Sequence, residues 1–168
     1  IKNLPTGPGD DFKIDVSYAK GNTKNVISTS GGSPSFGMFG GTDRIGAYQS
    51  IGFGQTSDAV FLPGFLTGGA TGDIKLTEAW GVRGAFNHNW DPYWSTSLWG
   101  SYSQVRYGGS AIDLTSAKGQ WCANYNTGKA VSTNYSCNPD YNVAQVGLTT
   151  RWTPVKNLTF SGEVQWFH

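Results

Sequence analysis

The chain has 168 residues, with 24 glycines and 24 aromatic side chains, yet only 14% of its residues are charged and its formal net charge is +1. Glycine at about twice its usual share, with charge at about half of it, fits neither a disordered nor a collagenous chain. No apolar run approaches the roughly 18 residues of a membrane-spanning helix, and near neutrality gives no field for gathering nucleic acid.

In chain order, Pro5 to Asp10 reads as a turn. Phe12, Ile14, Val16 and Tyr18 then alternate with Lys13, Asp15, Ser17 and Ala19, the period of two that marks a strand with one apolar face. Residues 21–43 read as a long connection. Short strands are expected near 44–53 and 57–65, joined at Gly54-Gln55-Thr56-Ser57, with a further loop over 66–73. Between 74 and 90 the even positions Ile74, Leu76, Trp80, Val82, Phe86 and Trp90 oppose Lys75, Thr77, Arg83, Asn87 and Asn89, with Glu78 and His88 out of pattern. Asp91-Pro92 is a tight turn. Residues 93–107 return as its hairpin partner, with Trp94, Leu98 and Tyr102 against Ser95, Ser97, Ser101 and Ser103, while Trp99 crosses over.

A long connection from Gly108 to Asp140 leads to a strand over Tyr141–Trp152, where Val146, Leu148 and Trp152 oppose Gln145, Thr149 and Arg151. A tight turn at Thr153–Asn157 precedes the clearest strand. There Leu158, Phe160, Gly162, Val164 and Trp166 alternate with Thr159, Ser161, Glu163, Gln165 and Phe167. No window sustains helical spacing, and Gly interrupts every candidate. The class is all-β, with about seven strands in one domain over 1–168.

Strands of this length exceed the usual five or six residues, and short turns opposed to long loops are the asymmetry of a transmembrane β-barrel. Trp90, Tyr93, Trp94 and Trp152 lie beside the two tight turns and read as an interfacial aromatic girdle, each ring in the apolar layer with its polar edge hydrated. A Trp-rich β-sandwich core is the alternative. If the apolar faces meet lipid, then Lys13, Asp15, Lys75, Arg83, Gln145, Thr149, Arg151, Glu163 and Gln165 point inward and line a water channel. Charged groups in a pore set ion preference, and this set holds four cations and two anions.

Cys122 and Cys137 are the only cysteines. Two thiols are too few for a structural zinc site. In an oxidising compartment a disulfide is the expectation, worth about 3 kcal/mol for a loop of this size. His88 and His168 sit in no ligand or triad spacing, and Gly37 to Gly41 lacks the Lys and the helix of a phosphate loop. No enzyme activity, metal or cofactor is expected.

The stretch Ala79-Trp80-Gly81-Val82-Arg83-Gly84-Ala85-Phe86-Asn87-His88-Asn89-Trp90, the turn Asp91-Pro92, and Ser95-Thr96-Ser97-Leu98-Trp99-Gly100-Ser101-Tyr102 resemble alphaproteobacterial general porins of the rhizobial type. Val16-Ser17-Tyr18-Ala19-Lys20-Gly21 and Val155-Lys156-Asn157-Leu158-Thr159-Phe160 extend the resemblance over nearly the whole chain. It implies an antiparallel outer-membrane barrel of about sixteen strands, usually trimeric, through which small hydrophilic solutes diffuse, with this chain matching the C-terminal portion. Seven strands cannot close such a barrel, because an open edge in hydrocarbon costs several kcal/mol per unpaired backbone group, so a partial chain is expected. The competing reading is a secreted or surface β-sandwich that binds carbohydrate through exposed Trp and Tyr.

Overall fold

The computed structural model describes residues 1–27, 35–39, 52–62, 72–127 and 138–168. Five strands form one sheet in the order β1-β6-β7-β8-β9: β1 (Asp11–Lys20), β6 (Glu78–Asn89), β7 (Trp94–Arg106), β8 (Tyr141–Val155) and β9 (Leu158–Phe167). Between β1 and β6 the chain makes two further antiparallel pairs. β2 (Ser35–Phe39) pairs with β3 (Gly52–Thr56), and β4 (Ala59–Phe61) with β5 (Ile74–Leu76). The fold is all-β and antiparallel, as a porin-type barrel wall requires.

About seven strands are expected in the segment; among the described residues β1 and β6 are direct neighbours in the five-stranded sheet, and the strands between them pair among themselves. Gly54, Gln55 and Thr56, expected in a turn, belong to β3, where Gly54 stands opposite Gly37. Most of the strand expected over 44–53 lies outside the described residues.

The single strand expected over 74–90 is divided at Thr77. This residue is fully buried, and its backbone is committed elsewhere: its N–H donates to the Asp58 carbonyl at 3.0 Å and its own carbonyl accepts the Gly21 N–H at 2.9 Å. Lys75 is thereby placed in β5, opposite Val60, and off the five-stranded sheet.

The chain divides into two compact units. The first comprises Ile1–Val16, Val82–Tyr102 and Val143–His168. Its turns are tight. Leu4 and Asp10 close the first, the Leu4 N–H donating to the Asp10 carbonyl at 3.2 Å. In the second, the Asp91 carboxylate accepts the N–H groups of Tyr93 and Trp94 at 2.7 and 2.8 Å, the local bonding that makes Asp a turn residue. In the third, Asn157 takes a left-handed φ of 68°, which Asn tolerates better than a branched residue would. β8 and β9 run antiparallel from Gln145↔Phe167 to Trp152↔Phe160, with an irregularity before Val155↔Leu158.

The second unit comprises Ser17–Gly81 and Ser103–Asn142. Val60, Ala79, Val105, Tyr107 and Ala117 form its core, with Val26, Ile27, Trp121 and Tyr141 packed against them. The Tyr107 hydroxyl accepts the Ser57 N–H at 3.1 Å, and burial pushes that hydroxyl up to about 12. Helix α1 (Ala117–Thr127) was not anticipated. Gly119, the residue that argued against a helix, is required in it: a Cβ there would stand 2.0 Å from the Asp113 carbonyl oxygen. The loop backbone crosses the first turn too closely for any side chain. No helix among the described residues is long and apolar enough to cross a membrane.

Candidate functional site

Strand alternation separates two chemistries in the first unit. Even-numbered Phe12, Ile14, Val16, Trp94, Leu98, Val146, Leu148, Trp152, Leu158, Phe160, Val164 and Trp166 are exposed, Val164 by 77%. Their odd-numbered neighbours are mostly polar and bonded across strands. Asn87 Nδ2 donates to Asp11 Oδ1 at 2.6 Å, Ser97 Oγ donates to Asn87 Oδ1, and Arg151 Nη1 donates to Ser97 Oγ at 2.8 Å. This relay crosses β1, β6, β7 and β8. A second continues to β9: Trp99 Nε1 donates to Thr149 Oγ1 at 3.0 Å, whose hydroxyl donates to Glu163 Oε2 at 2.7 Å.

Eight of the nine residues expected to line a channel share this odd-numbered face. Arg83 Nε lies 3.2 Å from Asp15 Oδ1 and Lys13 Nζ 3.5 Å from Asp11 Oδ1. In the β8–β9 register Thr149 faces Glu163, Gly147 faces Gln165, Arg151 faces Ser161 and Gln145 faces Phe167. Lys75 is the exception, held in β5 with its Nζ 3.2 Å from Asp73. With Lys75 removed and Asp11 added, the odd face of the five strands carries Lys13, Arg83 and Arg151 against Asp11, Asp15 and Glu163. The expected four-to-two excess of cations becomes a balance.

Sequence reasoning missed Asp11, Asn87, Ser97 and Trp99 as members of this network. The parity of Asn87 and Ser97 was visible. Trp99, the residue out of pattern, lies over Gly147, where a Cβ would stand 2.3 Å from the indole Cζ2. Its ring occupies the place of the side chain that Gly147 lacks.

The four girdle residues are all exposed and adjoin the tight turns. The Trp94 and Trp152 rings stack at 5.6 Å and 18°, and Trp152 stacks in turn on Phe160 at 5.7 Å. Trp90 Nε1 donates to Thr96 Oγ1 at 2.9 Å. Each indole thus has an apolar body in the exposed row, and that of Trp90 keeps its N–H bonded.

His88 has a partner that sequence did not supply. Its Nδ1 is 2.7 Å from Asp10 Oδ2, and its ring meets Trp90 edge-on at 4.4 Å. Asp10 is fully buried. The Asn89 N–H bound to Oδ1 at 2.9 Å, then His88 and Thr6, hold its carboxyl down to about 2 against the burial that would raise it. Among the described residues no group of three His, Cys, Asp or Glu side chains could hold a metal ion. Cys122 is buried in α1 and is not a free thiol, while Cys137 lies outside the described residues.

A sheet apolar on one face and cross-bonded by polar groups on the other, with tight turns carrying aromatic residues, has the two-faced pattern of an outer-membrane β-barrel wall. The family model of the Porin subfamily matches residues 2–168, and the chain belongs to that family of outer-membrane porins. No curated protein and no solved structure matches the chain.

Proposed function

We propose that the chain forms part of a general porin of the rhizobial type, a water-filled outer-membrane channel through which small hydrophilic solutes and ions diffuse passively. It needs no cofactor and catalyses nothing. The supporting observation is the pair of polar relays, Asp11 to Arg151 and Trp99 to Glu163, that lie behind an exposed apolar row. Cross-strand bonds keep these side chains flat against the wall, so they hydrate a lumen without obstructing it. Lys13, Asp15, Arg83, Gln145, Thr149, Arg151, Glu163 and Gln165 line that lumen. Three cations against three anions give this wall little ion preference of its own. Homotrimers and a Cys122–Cys137 disulfide complete the proposal. A carbohydrate-binding β-sandwich would bury the row of Ile14, Val16, Val164 and Trp166 that is exposed here.

The test is conductance of the full-length purified protein in a planar bilayer. Stepwise, ohmic openings with weak cation–anion discrimination are expected. A sample that is soluble without detergent and gives no conductance would refute the channel.

A further inference from the structure

A cavity of about 760 Å³ lies within the second unit, and charge is distributed unevenly around it. Lys20, Lys75, Arg106 and Lys118 line it against only two carboxylates, Glu78 and Asp140. Three of the cations are matched. Lys20 Nζ lies 2.8 Å from Glu78, Lys118 Nζ 2.6 Å from Asp140, and Lys75 Nζ 3.2 Å from Asp73. Among the described residues Arg106 has one carboxylate partner, Asp140 at 3.8 Å, and that carboxylate already accepts Lys118 and the Tyr107 N–H at 2.8 Å. The Arg106 side chain is 59% exposed, so most of its planar fork of donors is left to solvent. A guanidinium in a concave, cation-rich wall is suited to bidentate capture of a phosphate.

The position of the cavity selects among phosphates. Lys20, Glu78 and Arg106 are even-numbered and share strand faces with Tyr18, Trp80 and Gln104, and Trp80 Nε1 donates to Gln104 Oε1 at 2.9 Å. Tyr18 and Trp80 are exposed on this face. It is the face that meets lipid on the channel reading, not the polar one. Exposed Ile74 and Leu76 line the same cavity. A free phosphate makes no use of two aliphatic side chains. A lipid with a charged headgroup and an apolar body matches both parts of the lining.

We infer that this cavity binds the phosphate of an anionic membrane lipid, with Arg106 as its main ligand and Lys75 and Lys118 flanking it. The inference rests on the reading of the sheet as a membrane wall. Native mass spectrometry of the full-length protein in detergent tests it, with phosphatidylglycerol, phosphatidylcholine and inorganic phosphate as separate probes. Phosphatidylglycerol should be retained over phosphatidylcholine, and Arg106→Gln should weaken that retention about tenfold or more, as for loss of a charge-assisted contact. Lys75→Gln should weaken it less, and Lys156→Gln in the β8–β9 turn should not. Should Arg106→Gln not fold, as judged by heat-dependent gel migration, Lys75→Gln carries the comparison alone. Equal retention by Lys75→Gln, Arg106→Gln and Lys156→Gln would overturn the site, as would inorganic phosphate bound as tightly as the lipid. Bilayer conductance of the same samples separates the two readings: a site that fails while conductance persists leaves the channel standing, and lipid retention without conductance removes the channel alone.

Discussion

Two residues show how single positions are fixed in the first unit. Gly147 is occupied from the neighbouring strand, with Trp99 where its own side chain would be. Gly147→Ala therefore displaces the indole and breaks its bond to Thr149, an overpacking cost of about 1–3 kcal/mol. A lowered temperature of heat-dependent gel migration checks this. Asp10 is held ionised by the Asn89 N–H, His88 and Thr6, so its carboxyl titrates lower in the folded chain than in the unfolded one. A depressed carboxyl stabilises the fold above its unfolded pKa of about 4 and loses that contribution as the pH falls towards 2. Acid unfolding followed by circular dichroism should show this loss in the wild type and a flatter profile between pH 4 and pH 2 in Asp10→Asn.

At the scale of elements, the aromatic stack joins β7, β8 and β9 through Trp94, Trp152 and Phe160. Trp152→Ala removes both stacks, each worth about 0.5–1.5 kcal/mol, so a loss of about 1–3 kcal/mol is expected in urea unfolding from lipid vesicles. The strands of the sheet were largely legible in the sequence, because one apolar and one polar face impose a period of two, and Ile14, Thr149 and Glu163 each obey it. Three features escaped. Lys75 keeps the period of its strand, but the break at Thr77 is made by distant backbone partners, Asp58 and Gly21, that no local pattern records. α1 escaped because its glycine answers to a crossing loop, which a propensity scale counts only as a penalty. Trp99 broke the pattern because it serves the neighbouring strand, and a residue serving a neighbour reads as an error in its own.

For the whole molecule, the core of Val60, Ala79, Val105 and Tyr107 takes in Ala117 of the long connection after β7. If Cys122 pairs with Cys137, reduction should leave the sheet intact and loosen this connection. Protease cleavage within 108–140 should accelerate on reduction, while the far-ultraviolet dichroism stays unchanged. The sheet order β1-β6-β7-β8-β9 also carries a history of assembly. β6–β7 and β8–β9 are joined by turns of a few residues, whereas residues 21–77 separate β1 from its neighbour β6. Closing a chain segment of that length is entropically harder and slower than zipping a hairpin. The two hairpins are therefore expected to form early and β1 to join the sheet late.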